Sequence, residues 1–270
     1  AGTVDGSNNP APLFAVADPA NMAYAATYGL YWTGNVTANT TSGNIQINAK
    51  GTNITGAMTA YGLSLLGNNQ NYTLNNASNN FLSSLSASIG TGSLTFVNTN
   101  PINIGSFNGT TGVTAASVSL TSPGLTGSAN INAGTGDVIL PNIPNQFGGV
   151  ISLQANDVQL VSSSNLILGP STITGDAQVA TVTGNITQTA PLSVAGTSAF
   201  TATHGDVTLS QANTLTQAVT VNAVNTTLNS STALTLGAST VTGNLVATVA
   251  SGDITQTGPV AVTGTSNFSA

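Results

Sequence analysis

The chain has 270 residues and a formal net charge of −6, with one Lys, no Arg, no Glu and seven Asp, so charged residues make up 3% against about a quarter of an average domain. A single lysine excludes nucleic-acid binding, which draws its affinity from cations set against phosphates, and excludes adsorption to anionic lipid. The absence of Cys excludes disulfides, thiolate metal sites and thiol chemistry.

Apolar residues are 40% of the chain, enough for a core and too many for charge-driven disorder. The surface falls to neutral groups, 71 Ser and Thr and 32 Asn. No apolar run reaches the roughly 18 residues of a membrane-spanning helix. The nearest, residues 11–31, is interrupted by Asp18 and Pro19, so the expectation is a chain that is not transmembrane.

The first forty or so residues hold five of the thirteen aromatics: Phe14, Tyr24, Tyr28, Tyr31 and Trp32. Residues 18–29 carry helix punctuation, with Asp18 as N-cap, Pro19 at the first helical position and Gly29 as the stop. Residues 1–42 are therefore expected to be a cap or lead-in segment, since a stacked β-structure needs its open end covered. Tyr24, Tyr28, Tyr31 and Trp32 are its candidate surface, either packed over the first coil or exposed to a ligand.

From residue 43 onward, apolar–polar–apolar triads recur: Ile45-Gln46-Ile47, Val118-Ser119-Leu120, Ile151-Ser152-Leu153, Val158-Gln159-Leu160, Val207-Thr208-Leu209, Val219-Thr220-Val221, Leu234-Thr235-Leu236 and Val260-Ala261-Val262. Period two with β-branched residues predicts short, half-buried strands. Gly-Asn or Gly-Asp steps open many units, at Gly43, Gly136, Gly184, Gly205, Gly243 and Gly252, where glycine's access to positive φ suits a tight turn.

Repetition is loose between residues 43 and 149 and then becomes plain. Residues 171–202 and 239–270 match without gaps at 16 of 32 positions, an offset of 68. The clearest units are 150–218 and 219–270. Such repetition predicts a quasi-one-dimensional solenoid, an all-β, right-handed parallel β-helix over 43–270. At about 22–23 residues per coil, three coils fill one 68-residue unit and about twelve fill the chain. Val, Ile, Leu and Ala would point inward, with Thr, Ser and Asn stacked outside in ladders whose amides bond one another. An antiparallel sandwich is the structural alternative, but it gives no reason for the repeat. The second copy stops at Ala270 where the first runs on, so a segment of a longer protein is expected.

Chemistry is sparse. His204 sits beside Gly205-Asp206 with no nucleophile elbow nearby, and reads as a turn residue. The seven Asp are scattered, at Asp5, Asp18, Asp137, Asp157, Asp176, Asp206 and Asp253, without the paired carboxylates of a glycan-cleaving enzyme. No enzyme, cofactor or metal is expected. Residues 134–138 (GTGDV) match one fragment of a calcium-binding repeat, but calcium needs six or more oxygens from consecutive copies. Thr-x-Thr pairs such as Thr172–Thr174 and Thr240–Thr242 are irregularly spaced and read as solvated ladders.

The units at 43–49 (GNIQINA), 184–189 (GNITQT), 205–209 (GDVTL) and 252–257 (GDITQT) resemble the repeats of filamentous-haemagglutinin-like bacterial surface adhesins over about 43–270. That resemblance implies a right-handed β-helix, export through an outer-membrane secretion partner, an extracellular or cell-surface location, and a role in attachment, aggregation or biofilm. The expected function is a structural or adhesive filament segment that self-associates into rods or bundles. The alternative is a carbohydrate-, ice- or receptor-binding β-helix, with surface glycans as partners. A β-helical polysaccharide-acting enzyme ranks third.

Overall fold

The computed structural model describes residues 21–26, 30–32, 36–38, 42–49, 52–67, 69–107, 110–122, 124–141 and 145–270. The apolar triads bury their outer members. Ile45 and Ile47, Val158 and Leu160, and Val219 and Val221 are each at most 2% exposed, while Gln46, Gln159 and Thr220 between them turn away from the core. A strand so patterned buries one face and must stack its backbone bonds on neighbours. Here the neighbours are the previous and next coils.

Stacking is parallel, as where Val158–Ser162 pairs with Ala177–Thr181 and that strand with Ser198–Ala202. An 18-stranded and a 14-stranded sheet result, wrapped around one continuous apolar core. Within the core, side chains align in columns along the axis, such as Leu160, Val179, Phe200 and Val221. The chain is an all-β parallel solenoid of about ten turns, close to the coil count expected. The only antiparallel pair among the described residues is a hairpin of Ser106–Phe107 and Thr110–Thr111, inserted into one coil.

The helix expected at 18–29 does not form in its described part. Asn21–Ala26 is a strand, paired in parallel with Asn44–Ala49 over six residues. Capping signals contribute about 1 kcal/mol each, and a short segment has no helical stability of its own. Parallel pairing with Asn44–Ala49 gives this segment ladder hydrogen bonds along its length, so the sheet prevails.

Coil length also differs from expectation. Val158 stacks on Ala177, Ala177 on Ser198 and Ser198 on Val219, steps of 19, 21 and 21 residues. The 68-residue repeat is therefore not three coils. Ser171–Ile173 lies in the first, 18-stranded sheet, whereas its counterpart Ser239–Val241 lies in the second. Ala177–Thr181 and Ser198–Ala202 lie in the second, and their counterparts Leu245–Val249 and Ser266–Ser269 in the first. Between Ser171–Ile173 and Ser239–Val241 the chain changes sheet seven times. One repeat is three and a half turns, and each repeat is rotated by half a turn from the last.

An odd number of half-coils works because half-coils differ in build, and one of them, Val207–Leu215, is a continuous nine-residue strand whose register shifts between Leu209 and Asn213. Some are one strand of five residues, such as Ala177–Thr181. Others are two strands of three, such as Leu166–Leu168 and Ser171–Ile173, kinked at Gly169-Pro170, where proline has no N–H to give to a ladder. The buried Ser171 hydroxyl holds that kink, donating to Gly169 O at 3.1 Å and accepting from Leu153 N–H at 3.1 Å. Ser239 repeats this on the other sheet, bonding Gly237 O at 3.0 Å and Val221 N–H at 3.0 Å. At Val219–Ala223 and Thr226–Ser230 two five-residue half-coils follow each other directly, and the kinked side changes over.

The register can be tested by cross-linking, since the chain has no cysteine of its own. Gln159 and Gln178 are outward neighbours on adjacent coils, at a Cα spacing suited to a disulfide, roughly 4.4–6.8 Å. A Gln159→Cys/Gln178→Cys variant should oxidise to a single intramolecular bond. Gln159→Cys/Val182→Cys, the pairing that a 23-residue coil would bring together, should remain reduced.

Candidate functional site

Corners between half-coils carry Asp, Asn or Thr, and these form ladders along the rod. At one corner Asp157 N–H donates to Asp137 Oδ1 at 3.1 Å, Asp176 N–H to Asp157 Oδ1 at 2.8 Å, and Thr197 N–H to Asp176 Oδ1 at 2.7 Å. At another, Asn225 N–H donates to Asp206 Oδ1 at 3.0 Å, Asn244 N–H to Asn225 Oδ1 at 2.9 Å and Thr265 N–H to Asn244 Oδ1 at 2.9 Å. The second set is the first moved by one repeat. The preceding turn residues bond backbone to backbone between coils, as Gly175 N–H does to Asn156 O at 2.9 Å, and at the ladder positions a side-chain oxygen from the coil below satisfies the N–H instead. The dominant bond in these ladders thus joins side chain to backbone rather than amide to amide.

The Gly-Asp and Gly-Asn steps have a different cause from the one expected. Of those at Gly136, Gly184, Gly205, Gly243 and Gly252, only Gly252 has positive φ. Close approach of coils explains the rest: a Cβ on Gly136 would lie 1.3 Å from Ala116 O.

Three buried asparagines went unrecognised in the sequence. Asn79, Asn145 and Asn213 are at most 1% exposed, and each clasps three backbone groups on different coils. The Asn213 amide donates to Leu209 O at 3.2 Å and Asn229 O at 2.9 Å, and its Oδ1 accepts from Leu192 N–H at 2.8 Å. Asn145 does the same with Leu140 O, Val161 O and Leu125 N–H, and Asn79 with Leu74 O, Val97 O and Met58 N–H. Each sits where a one-piece strand comes to lie over a kinked or bulged half-coil, as Thr226–Ser230 does over Val207–Leu215, whose register shifts between Leu209 and Asn213. Spacing was the available signal, as 145 − 79 is 66 and 213 − 145 is 68, each Asn being followed two residues later by Phe81, Phe147 or Leu215.

The backbone of Tyr24 belongs to the first sheet, opposite Ile47, while Tyr31 and Trp32 belong to the second, opposite Asn53 and Ile54. Tyr28 lies outside the described residues, as do Asp5 and Asp18. His204 is on an exposed corner with Nδ1 donating to Val182 O at 3.1 Å. Asp137, Asp157, Asp176 and Asp206 are committed through Oδ1 to the ladders, and no cluster of three or more His, Cys, Asp or Glu able to hold a metal occurs among the described residues.

Fold and ladders together define a β-solenoid repeat protein whose repeat unit spans three and a half coils. The chain belongs to the family described as repeats of unknown function (DUF5649), whose model matches residues 91–154, 155–222 and 223–270. No curated protein and no solved structure matches the chain.

Two substitutions separate the roles of clasp and ladder. Asn213→Ala strands two buried carbonyls and one N–H, at roughly 1–3 kcal/mol each, so urea denaturation should show a loss of about 3 kcal/mol or more. Asp157→Asn keeps the Oδ1 acceptor, as Asn225 does one repeat later, and separates the like charges of Asp137 and Asp176. It should leave stability unchanged or slightly raised at low salt, whereas Asp157→Ala should cost about 1 kcal/mol.

Proposed function

We propose that this chain is a structural and adhesive segment of an exported bacterial surface or matrix filament, of the filamentous-haemagglutinin-like kind. It acts in attachment, aggregation or biofilm by self-association of its rods. The observation that carries this reading is the mode of stabilisation: bonds between coils run along the axis, and the corners are sealed by side-chain-to-backbone ladders that use no disulfide. Such a rod keeps its length without metal or redox conditions, which suits the outside of a cell.

The near-uncharged surface supports lateral contact, because weak charge leaves little repulsion between rods. Most contacts link a coil to the one beside it, so folding can propagate coil by coil. This suits export of an unfolded chain through an outer-membrane partner, and folding outside would draw the chain outward. The low charge also makes stability nearly independent of salt.

Electron microscopy with small-angle X-ray scattering over a concentration series tests the proposal. Thin rods that join end to end or side by side as concentration rises, with an axial repeat of about 4.8 Å, are the expected result. Rods that stay single at every concentration and in every salt would remove self-association as the function.

A further inference from the structure

The inserted hairpin and the kinked half-coils shape one side of the first sheet into a groove of about 490 Å³. Its floor is an outward row in continuous register across six coils: Thr114, Asn132, Gln154, Thr172, Ser193 and Thr214. Thr111 of the hairpin stands at one end. At the other, Thr214 Oγ1 is bonded to Ser231 Oγ of the next coil at 3.1 Å. Pro170 and Pro191, at the kinks of two successive coils, add apolar surface along the side. Gln154, Thr172 and Ser193 in the middle of the row are exposed.

We infer that this groove binds a linear, uncharged polysaccharide lying along the rod axis. No ionisable group lines it, so a charged polymer would lose water there without gaining a counter-charge. The floor is made of side chains on a sheet face rather than a free strand edge, so a peptide gains no backbone ladder by entering. Hydroxyls and amides that both donate and accept recur at each coil, about every 4.8 Å. Neutral sugars answer that pattern with hydroxyls on every ring, and their C–H faces suit the two prolines. The volume lies within the usual range of ligand sites, about 300–1,000 Å³, and the groove is elongated, as a chain-like ligand requires.

The row also recurs one repeat later. Thr201, Asn222, Thr240 and Ala261 are in register on the second sheet, 68 or 69 residues beyond Asn132, Gln154, Thr172 and Ser193. The half-turn repeat thus brings a related row to the opposite side of the rod, but with Ala261 where Ser193 stands it lacks a central hydroxyl, and the groove on the first sheet is the complete site.

The groove belongs to a single rod, so its test runs on dilute protein, and failure there leaves self-association untouched. Affinity electrophoresis would compare gels holding a neutral β-glucan, mannan or dextran with gels holding polygalacturonate. The inference expects retardation by at least one neutral polymer, none by polygalacturonate, and persistence in about 1 M salt. A Gln154→Ala/Thr172→Ala/Ser193→Ala variant, altered only on the outer row, should weaken retardation about tenfold or more, with an unchanged melting temperature. A Gln159→Ala/Gln178→Ala variant on the second sheet should bind as the parent does. No retardation by any neutral polymer, preference for polygalacturonate, or full binding by the groove variant would overturn the inference.

Discussion

Everything in this molecule depends on the parallel backbone ladder that joins each coil to the next. A strand of three to five residues has no stability alone, and the chain has almost no charges with which to make ion pairs. What it has is a partner above and below at nearly every backbone group. The ladder demands that successive coils keep register, and register puts like on like: apolar columns inside, hydroxyl and amide rows outside. The corners are the weak points, since turns leave some N–H groups without a strand partner. Asp, Asn and Thr on the coil below accept those bonds, as from Asp137 to Thr197.

Kinks and clasps adapt this scheme to a core of uneven width. A two-piece half-coil bends at a Gly-Pro or similar step, and a small buried hydroxyl such as Ser171 takes up the backbone groups freed there. Where a straight strand is laid on a kinked or bulged one, the mismatch leaves carbonyls and an N–H that no strand can reach. A buried asparagine, with two donors and an acceptor on one planar group, fits that gap. Its recurrence at Asn79, Asn145 and Asn213 marks the changeover in each unit.

The half-turn repeat follows from these devices. Because the kinked side and the straight side exchange once in each unit, the unit closes on itself after an odd number of half-coils. The corner ladder then returns on the opposite side, and the Asp137–Thr197 ladder reappears as Asp206–Thr265.

Much of this was legible in the sequence. Triads such as Val158-Gln159-Leu160 determined short strands with one buried face, because period two admits little else. The 68-residue offset determined a stacked architecture, since equal segments in series must make equal contacts. The same reading mistook 21–26 for part of a helix, because capping signals are local and pairing with Asn44–Ala49 is not. Only the tertiary structure decided that the repeat spans three and a half turns, because a linear offset carries no information on rotation about an axis. It alone decided that Asn213 is buried while Asn225 bonds at a corner. The two are the same residue type twelve positions apart, and what separates them is which carbonyls the coils above and below leave unpaired.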